Sequence, residues 1–151
     1  YYHDVVGCNS RLDSIQAAIL GIKLKHLDEY ARARQQAAAY YDQAFAGHPA
    51  ITTPAHAAYS SHVYHQYTIL MEGVDREGLK KYLAEKGIPA MIYYPVPGHR
   101  QKMFEQFNVA SLDLPVTDWL TQRVISLPIH TELDEEQLAY ITSQILAYIN
   151  Q

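Results

Sequence analysis

From Leu12 onward apolar residues recur at helical spacing. Leu12, Ile15, Ile19 and Ile22 make one row, and Gln16, Leu20, Leu24 and Leu27 make a second row beside it. Between Leu12 and about Ala46 there is no proline and a single glycine, Gly21, so the pattern predicts one helix, or two with a bend near Gly21. Ser10 with Asp13 approximates a capping box at the start, and Gly47 and Pro49 close the other end. A helix of that extent is about 50 Å long, whereas a compact domain of this size has a radius of gyration of about 15 Å. It must project or lie against something else. The double apolar row, with Ala17 and Ala18 permitting close approach, is wider than one contact face requires, and a helix spanning two bodies is expected.

Beyond a loop rich in Ala, Pro and His over residues 48–61, the stretch HVYHQYTILM reads as a strand bounded by Gly73. DREGLKKYLAEKG predicts a short helix capped by Asp75 and stopped at Gly87, and IPAMIYYP predicts a second strand, giving a strand, helix, strand unit. VPGHRQKMFEQF is a loop entering a short helix, and VTDWLTQRVISLPI suggests a helix followed by a third short strand. The last helix presents Leu138, Ile141, Ile145 and Ile149 on one face, with Asp134, Glu135 and Glu136 at its positive end. The fold class is α/β, an α+β arrangement in which a small sheet is flanked by helices.

Composition narrows the classes. The chain has 151 residues, of which 48% are hydrophobic and 19% charged, which fits one globular domain with a sizeable core and excludes disordered and collagen-like chains. It begins at Tyr1, which suggests an excised piece of something longer. A net charge of -4 with interspersed signs gives no footprint for nucleic acid or an anionic membrane, so neither partner is expected. No apolar run approaches the length of a membrane span, and the single cysteine, Cys8, fits a reducing compartment, so a cytoplasmic location is expected. Thirteen tyrosines suit half-buried surfaces such as interfaces and polar pockets, or reflect composition alone.

Candidate chemistry is sparse. His62 and His65 stand three apart in a predicted strand, where side chains alternate faces, so they are not expected to chelate one ion. No Gly-x-Ser-x-Gly elbow, dinucleotide-binding fingerprint or Walker loop occurs. The turn before the long helix remains. Free backbone donors at a helix N-terminus, together with the Asn9 amide and the Arg11 guanidinium, are suited to an anion, although Asn and Ser there can equally be plain caps.

At that turn the sequence, YYHDVVGCNSRLDSIQAAILGIKLKHLDEY, closely resembles the DegT and StrS family of pyridoxal-phosphate-dependent sugar aminotransferases. The likeness continues in order through HQYTIL, the Gly87-Ile88 pair, YYPVPGH and SLPIHTEL, and so covers essentially the whole chain. The resemblance implies the C-terminal part of a fold-type I aminotransferase: residues 1–11 as a cofactor-phosphate turn, 12–47 as an interdomain helix and 48–151 as the small domain. It implies a homodimer, pyridoxal phosphate as cofactor, a missing N-terminal cofactor domain, a nucleotide-sugar substrate and an amino donor that is usually glutamate. Asn9 would reach the phosphate held mainly by the other subunit, with Arg11 close by, while His65, Tyr93, Tyr94 and His99 would line the sugar-nucleotide side. For His65 a satisfied core histidine is the competing reading, and a regular strand would send one of Tyr93 and Tyr94 into the core. The Asn-Ser-Arg-Leu-Asp wording resembles enzymes acting on 3-keto sugars more than 4-keto ones. The family's cofactor-binding lysine lies upstream, so this chain alone is expected to be inactive; the alternative is a non-catalytic regulatory or dimerisation module.

Overall fold

The computed structural model describes residues 1–107 and 109–150. The predicted long helix is present with a break. Helix α1, Ser14–Lys23, passes through a 3-10 turn at Leu24–His26 into α2, Leu27–Ala44, so the interruption falls just beyond Gly21. The cap is three residues later than the Ser10 reading: Asp13 accepts from the Gln16 backbone N–H at 2.7 Å, and the Gln16 side chain accepts from the Asp13 N–H. A carboxylate at the first turn also suits the positive end of the helix.

Three short strands form one antiparallel sheet in the order β1-β2-β3: β1 Ile51–Thr52, β2 Tyr67–Met71 and β3 Val124–Leu127. Tyr67 pairs with Leu127 and Ile69 with Ile125, which places these apolar side chains on one face. Against that face pack α2, α3 (Arg76–Glu85) and α5 (Glu135–Ile149), contributing Tyr41, Leu79, Leu83, Ile141 and Ile145 to the core. A shorter helix, α4 (Pro115–Thr121), precedes β3, and its last carbonyl accepts a hydrogen bond from the Arg76 guanidinium.

Two expected strands are shorter than the apolar pattern suggested. β2 begins at Tyr67, not His62, because Tyr64 takes a left-handed backbone with φ of 48° and its N–H turns back to His62 Nδ1 at 2.9 Å. That conformation is costly for a non-glycine residue. Burial of the Tyr64 ring against His62 and Tyr67 offsets it. IPAMIYYP makes a single antiparallel bridge, Met91 to Ser126, so the strand, helix, strand unit is not formed. Pro89 and Pro95 each lack the N–H that a ladder needs, which bounds any pairing to the five residues between them, and of these Met91 makes the bridge.

The start and stop expected for α3 hold. Asp75 accepts from the Gly78 N–H at 3.0 Å, and Gly87, at φ of 74°, takes the left-handed position that ends α3. Asp134 forms a capping box with Gln137.

The helix pair is buried at one end only. No residue of α1 is buried, and Ile15, Ile19 and Ile22 are 74%, 50% and 67% exposed, whereas α2 buries Ala37, Ala38 and Tyr41 near its C-terminal end. The first apolar row therefore faces outward along its whole length. Among the described residues no helix is long and apolar enough to cross a membrane.

Tyr41 and Tyr67 are fully buried, their rings 4.9 Å apart, with Tyr41 Oη donating to the Pro128 carbonyl at 2.9 Å and Tyr67 Oη to Asp42 Oδ1 at 2.6 Å. Burial raises the Tyr41 phenol, and burial followed by the Asp42 bond raises Tyr67, both well above the ordinary range. Their contribution is therefore complete below the unfolded phenol value of about 10 and lost as pH rises toward the folded values. Urea denaturation should give a constant unfolding free energy from neutral pH to about pH 9 and a decline above about pH 10. Tyr67→Phe should cost about 1.5–3 kcal/mol at neutral pH and flatten that decline; an alkaline slope equal to that of the unsubstituted chain would contradict this account.

Candidate functional site

The sheet face opposite the helices carries Thr68 and Ser126, whose hydroxyls bond across the strands at 2.7 Å. Over Ser126 lies a hollow of about 180 Å³ walled by His65, Met91, Tyr93, Pro128 and Ile129. His65 stands between this hollow and a neighbouring one of about 350 Å³ that Pro54, His62 and Thr68 also line. His62 and His65 thus share a hollow, contrary to the alternation expected of a strand, because both precede β2 in irregular chain. Among the described residues no group of three or more His, Cys, Asp or Glu is placed to hold a metal ion.

His65 is exposed, which removes the core-histidine reading. The loop that carries it is tied down from α2: Gln35 Nε2 donates to the His62 carbonyl at 2.8 Å, and His56 Nε2 lies 2.7 Å from Asp42 Oδ2. Asp42 thereby holds the loop with one oxygen and the start of β2 with the other.

Neither Tyr93 nor Tyr94 enters the core. Ile92 is the buried residue, while Tyr93 is half-buried on the hollow and Tyr94 is 56% exposed. With Tyr1 they form three mutually edge-on rings, centroids 5.4 to 5.7 Å apart. The hydrogen bond that the Tyr1 phenol donates to Tyr93 is the main cause raising it. His99 sits in a one-turn 3-10 segment, Gly98–Arg100, with Arg100 Nε donating to its Nε2 at 3.3 Å, and does not line the His65 hollow.

Asn9 and Arg11 lie in the exposed segment before α1. Arg11 joins Ser10, Leu12, Gln16 and Lys23 around a hollow of about 390 Å³, separate from that of His65 and Tyr93. The donor set differs from the helix-terminus reading. The Asp13 carboxylate already takes the Gln16 backbone N–H. An anion would instead meet the Ser10 hydroxyl and the Arg11 and Lys23 cations, with the Asn9 amide adjacent in sequence. Two cations and a hydroxyl at the rim are chemically suited to a phosphate ester, while Leu12, Ile19 and Leu20 make the rest of the hollow apolar.

Sequence reasoning missed Gln101. It is 6% exposed, its Oε1 accepts from the His3 N–H at 2.9 Å, and its Nε2 donates to the Tyr1 carbonyl at 3.0 Å and the Val96 carbonyl at 3.4 Å. A glutamine in a proline-rich loop carries no pattern signal; only the folded contacts reveal it.

Residues 1–146 match the DegT/DnrJ/EryC1/StrS aminotransferase family. The UDP-N-acetyl-3-dehydro-alpha-D-glucosamine 3-aminotransferase of Acidithiobacillus ferrooxidans is 44% identical over 96% of this chain and 38% of its own length. A pleiotropic regulatory protein of Geobacillus stearothermophilus is 39% identical over 98% of this chain and 40% of its own. The crystal structure of DesV from S. venezuelae in complex with a ketimine intermediate superposes with a TM-score of 0.85 at 33% identity, over all of this chain and 40% of that one. The chain thus spans about two fifths of the length of these relatives.

The exposed and buried positions of this region separate cleanly by substitution. His65→Ala should change unfolding free energy by no more than about 0.5 kcal/mol, whereas Ile92→Ala, three residues before Pro95, should cost about 2–5 kcal/mol. Chemical denaturation of both variants checks the assignment, and a large loss for His65→Ala would return that histidine to a structural role.

Proposed function

Because the chain belongs to the DegT/DnrJ/EryC1/StrS aminotransferase family, we propose that it is the C-terminal part of a pyridoxal-phosphate-dependent enzyme that aminates a keto carbon of a nucleotide-linked sugar. The observation carrying this reading is the family match over residues 1–146, and two separate hollows support it, one with Arg11 and Lys23 beside Leu12, Ile19 and Leu20 and one with Tyr93, Ser126 and His65. Arg11 and Asn9 would hold the cofactor phosphate by charge-assisted and amide hydrogen bonds. His65 and the Tyr93 hydroxyl would meet sugar hydroxyls, with Tyr94 and His99 further along the same loop toward the nucleotide. The bound cofactor supplies the electron sink for the reaction.

The lysine that carries the cofactor belongs to the preceding part of the polypeptide, as does the body that would cover the outward row of α1. The working unit is a homodimer whose partner turn supplies Asn9 to each phosphate, and glutamate is the amino donor. Amination at C3 is favoured, in keeping with the name of the Acidithiobacillus ferrooxidans relative. The similarity to a pleiotropic regulatory protein supports a second reading, a regulatory member of the same fold that has no cofactor-binding lysine.

Mixing the full polypeptide with pyridoxal phosphate should give a near-visible absorbance band that borohydride abolishes, and this chain alone should give none. Arg11→Ala in the full polypeptide should weaken cofactor retention about tenfold, as expected for one lost charge-assisted hydrogen bond. Absence of the band from the full polypeptide would move the assignment to the regulatory reading.

A further inference from the structure

Gln101, Ser126 and Thr142 are the buried polar residues among those described. Ser126 satisfies its hydroxyl on the facing strand and Thr142 on carbonyls of its own helix, so both are accounted for by local structure. Gln101 differs: its amide reaches across almost the whole sequence to the backbone of Tyr1 and His3, and also holds Val96 in its own loop. Two further contacts run alongside, the Met103 N–H to the His3 carbonyl at 3.0 Å and the Lys102 ammonium to Asp4 at 3.3 Å. The Tyr1 ring then closes edge-on against Tyr93 and Tyr94.

The segment held in this way leads directly to Asn9. Six residues separate His3 from Asn9, a maximum reach of about 20 Å, so fixing His3 confines the turn that carries Asn9 and Arg11. We propose that Gln101 is a positioning residue: its side-chain amide staples the segment leading into the Asn9–Arg11 turn to the Tyr93–His99 loop, so that the two subsites are held in one register. This rests on the function proposed above for those two subsites. A glutamine suits the task because it offers an acceptor and two donors at a site where the backbone presents an N–H and two carbonyls.

Gln101→Met keeps much of the shape and removes every hydrogen bond. Gln101→Glu keeps the acceptor for His3 and sets a carboxylate oxygen against the Tyr1 and Val96 carbonyls. In the cofactor-loaded full polypeptide, Gln101→Met should speed hydrogen exchange at the His3 and Met103 amides by about tenfold, Gln101→Glu should speed it at Met103, and both should raise KM for the nucleotide sugar by about tenfold. The change in kcat should stay within about twofold, because no group that touches the reacting atoms is altered. A residue that only fills space predicts wild-type exchange and KM in Gln101→Met, and that result overturns the proposal. Faster exchange with unchanged KM overturns it as well, since the staple would then hold the chain without setting the site. If the full polypeptide turns over no nucleotide sugar, the proposed function falls, and the His3 and Met103 exchange rates alone decide for or against the staple.

Discussion

Two neighbouring residues of one helix, Tyr41 and Asp42, fix the sheet on which everything else is placed. Tyr41 crosses the core to the carbonyl of Pro128, immediately after β3, and Asp42 receives the hydroxyl of Tyr67 at the first residue of β2. Both strands are thereby referenced to the same turn of α2. The consequence reaches the other face of the sheet, because Pro128 itself and His65, two residues before Tyr67, are walls of the hollow over Ser126. A carboxylate that takes a buried phenol on one oxygen and His56 on the other is a stronger tie than either neutral bond would be. It fastens the loop before β2 as well as the strand itself.

The same helix pair is held at one end by burial, while at the other no residue of α1 is buried. α2 closes over the sheet with Ala37, Ala38 and Tyr41, while the isoleucines of α1 point away from it. A row of exposed branched aliphatics is unfavourable in water and gains about 25 cal/mol for every Å² covered. Capping by Asp13 and Gln16 supports the helix locally, but an isolated stretch of ten residues is too short to persist on propensity alone. Its apolar row therefore makes sense as a face for another body, which agrees with a chain that spans about two fifths of its relatives.

Much of this was legible before any coordinates. Helix ends were readable at Asp75 and Gly87 because a cap is a local bond between residues three or four apart. The buried face of α5 followed from its spacing. Strand extents were not readable, since HVYHQY alternates like a strand while Tyr64 takes a left-handed backbone that no residue type there announces. The 3-10 turn at Leu24–His26 has no sequence mark either. Of the candidate site, the resemblance chose His65 and Tyr93 and the structure sets them on one hollow; His99 lies outside its lining. The two polar organisers, Asp42 and Gln101, escaped the reading because their partners are 25 and about 100 residues away.

Asp42 and Gln101 act at opposite ends of the same problem. A shallow hollow between loops has few apolar contacts of its own, so its walls are held by polar bonds to rigid neighbours or they drift. Asp42 ties the His65 side to α2, and Gln101 ties the Tyr93 side to the incoming chain. The sheet carries the middle through the Thr68 and Ser126 pair and the Met91 bridge. Each wall thus has its own fastening. Tyr93 is in direct ring contact with Tyr1 of the incoming segment, whereas the contacts that fasten His65's loop come from α2.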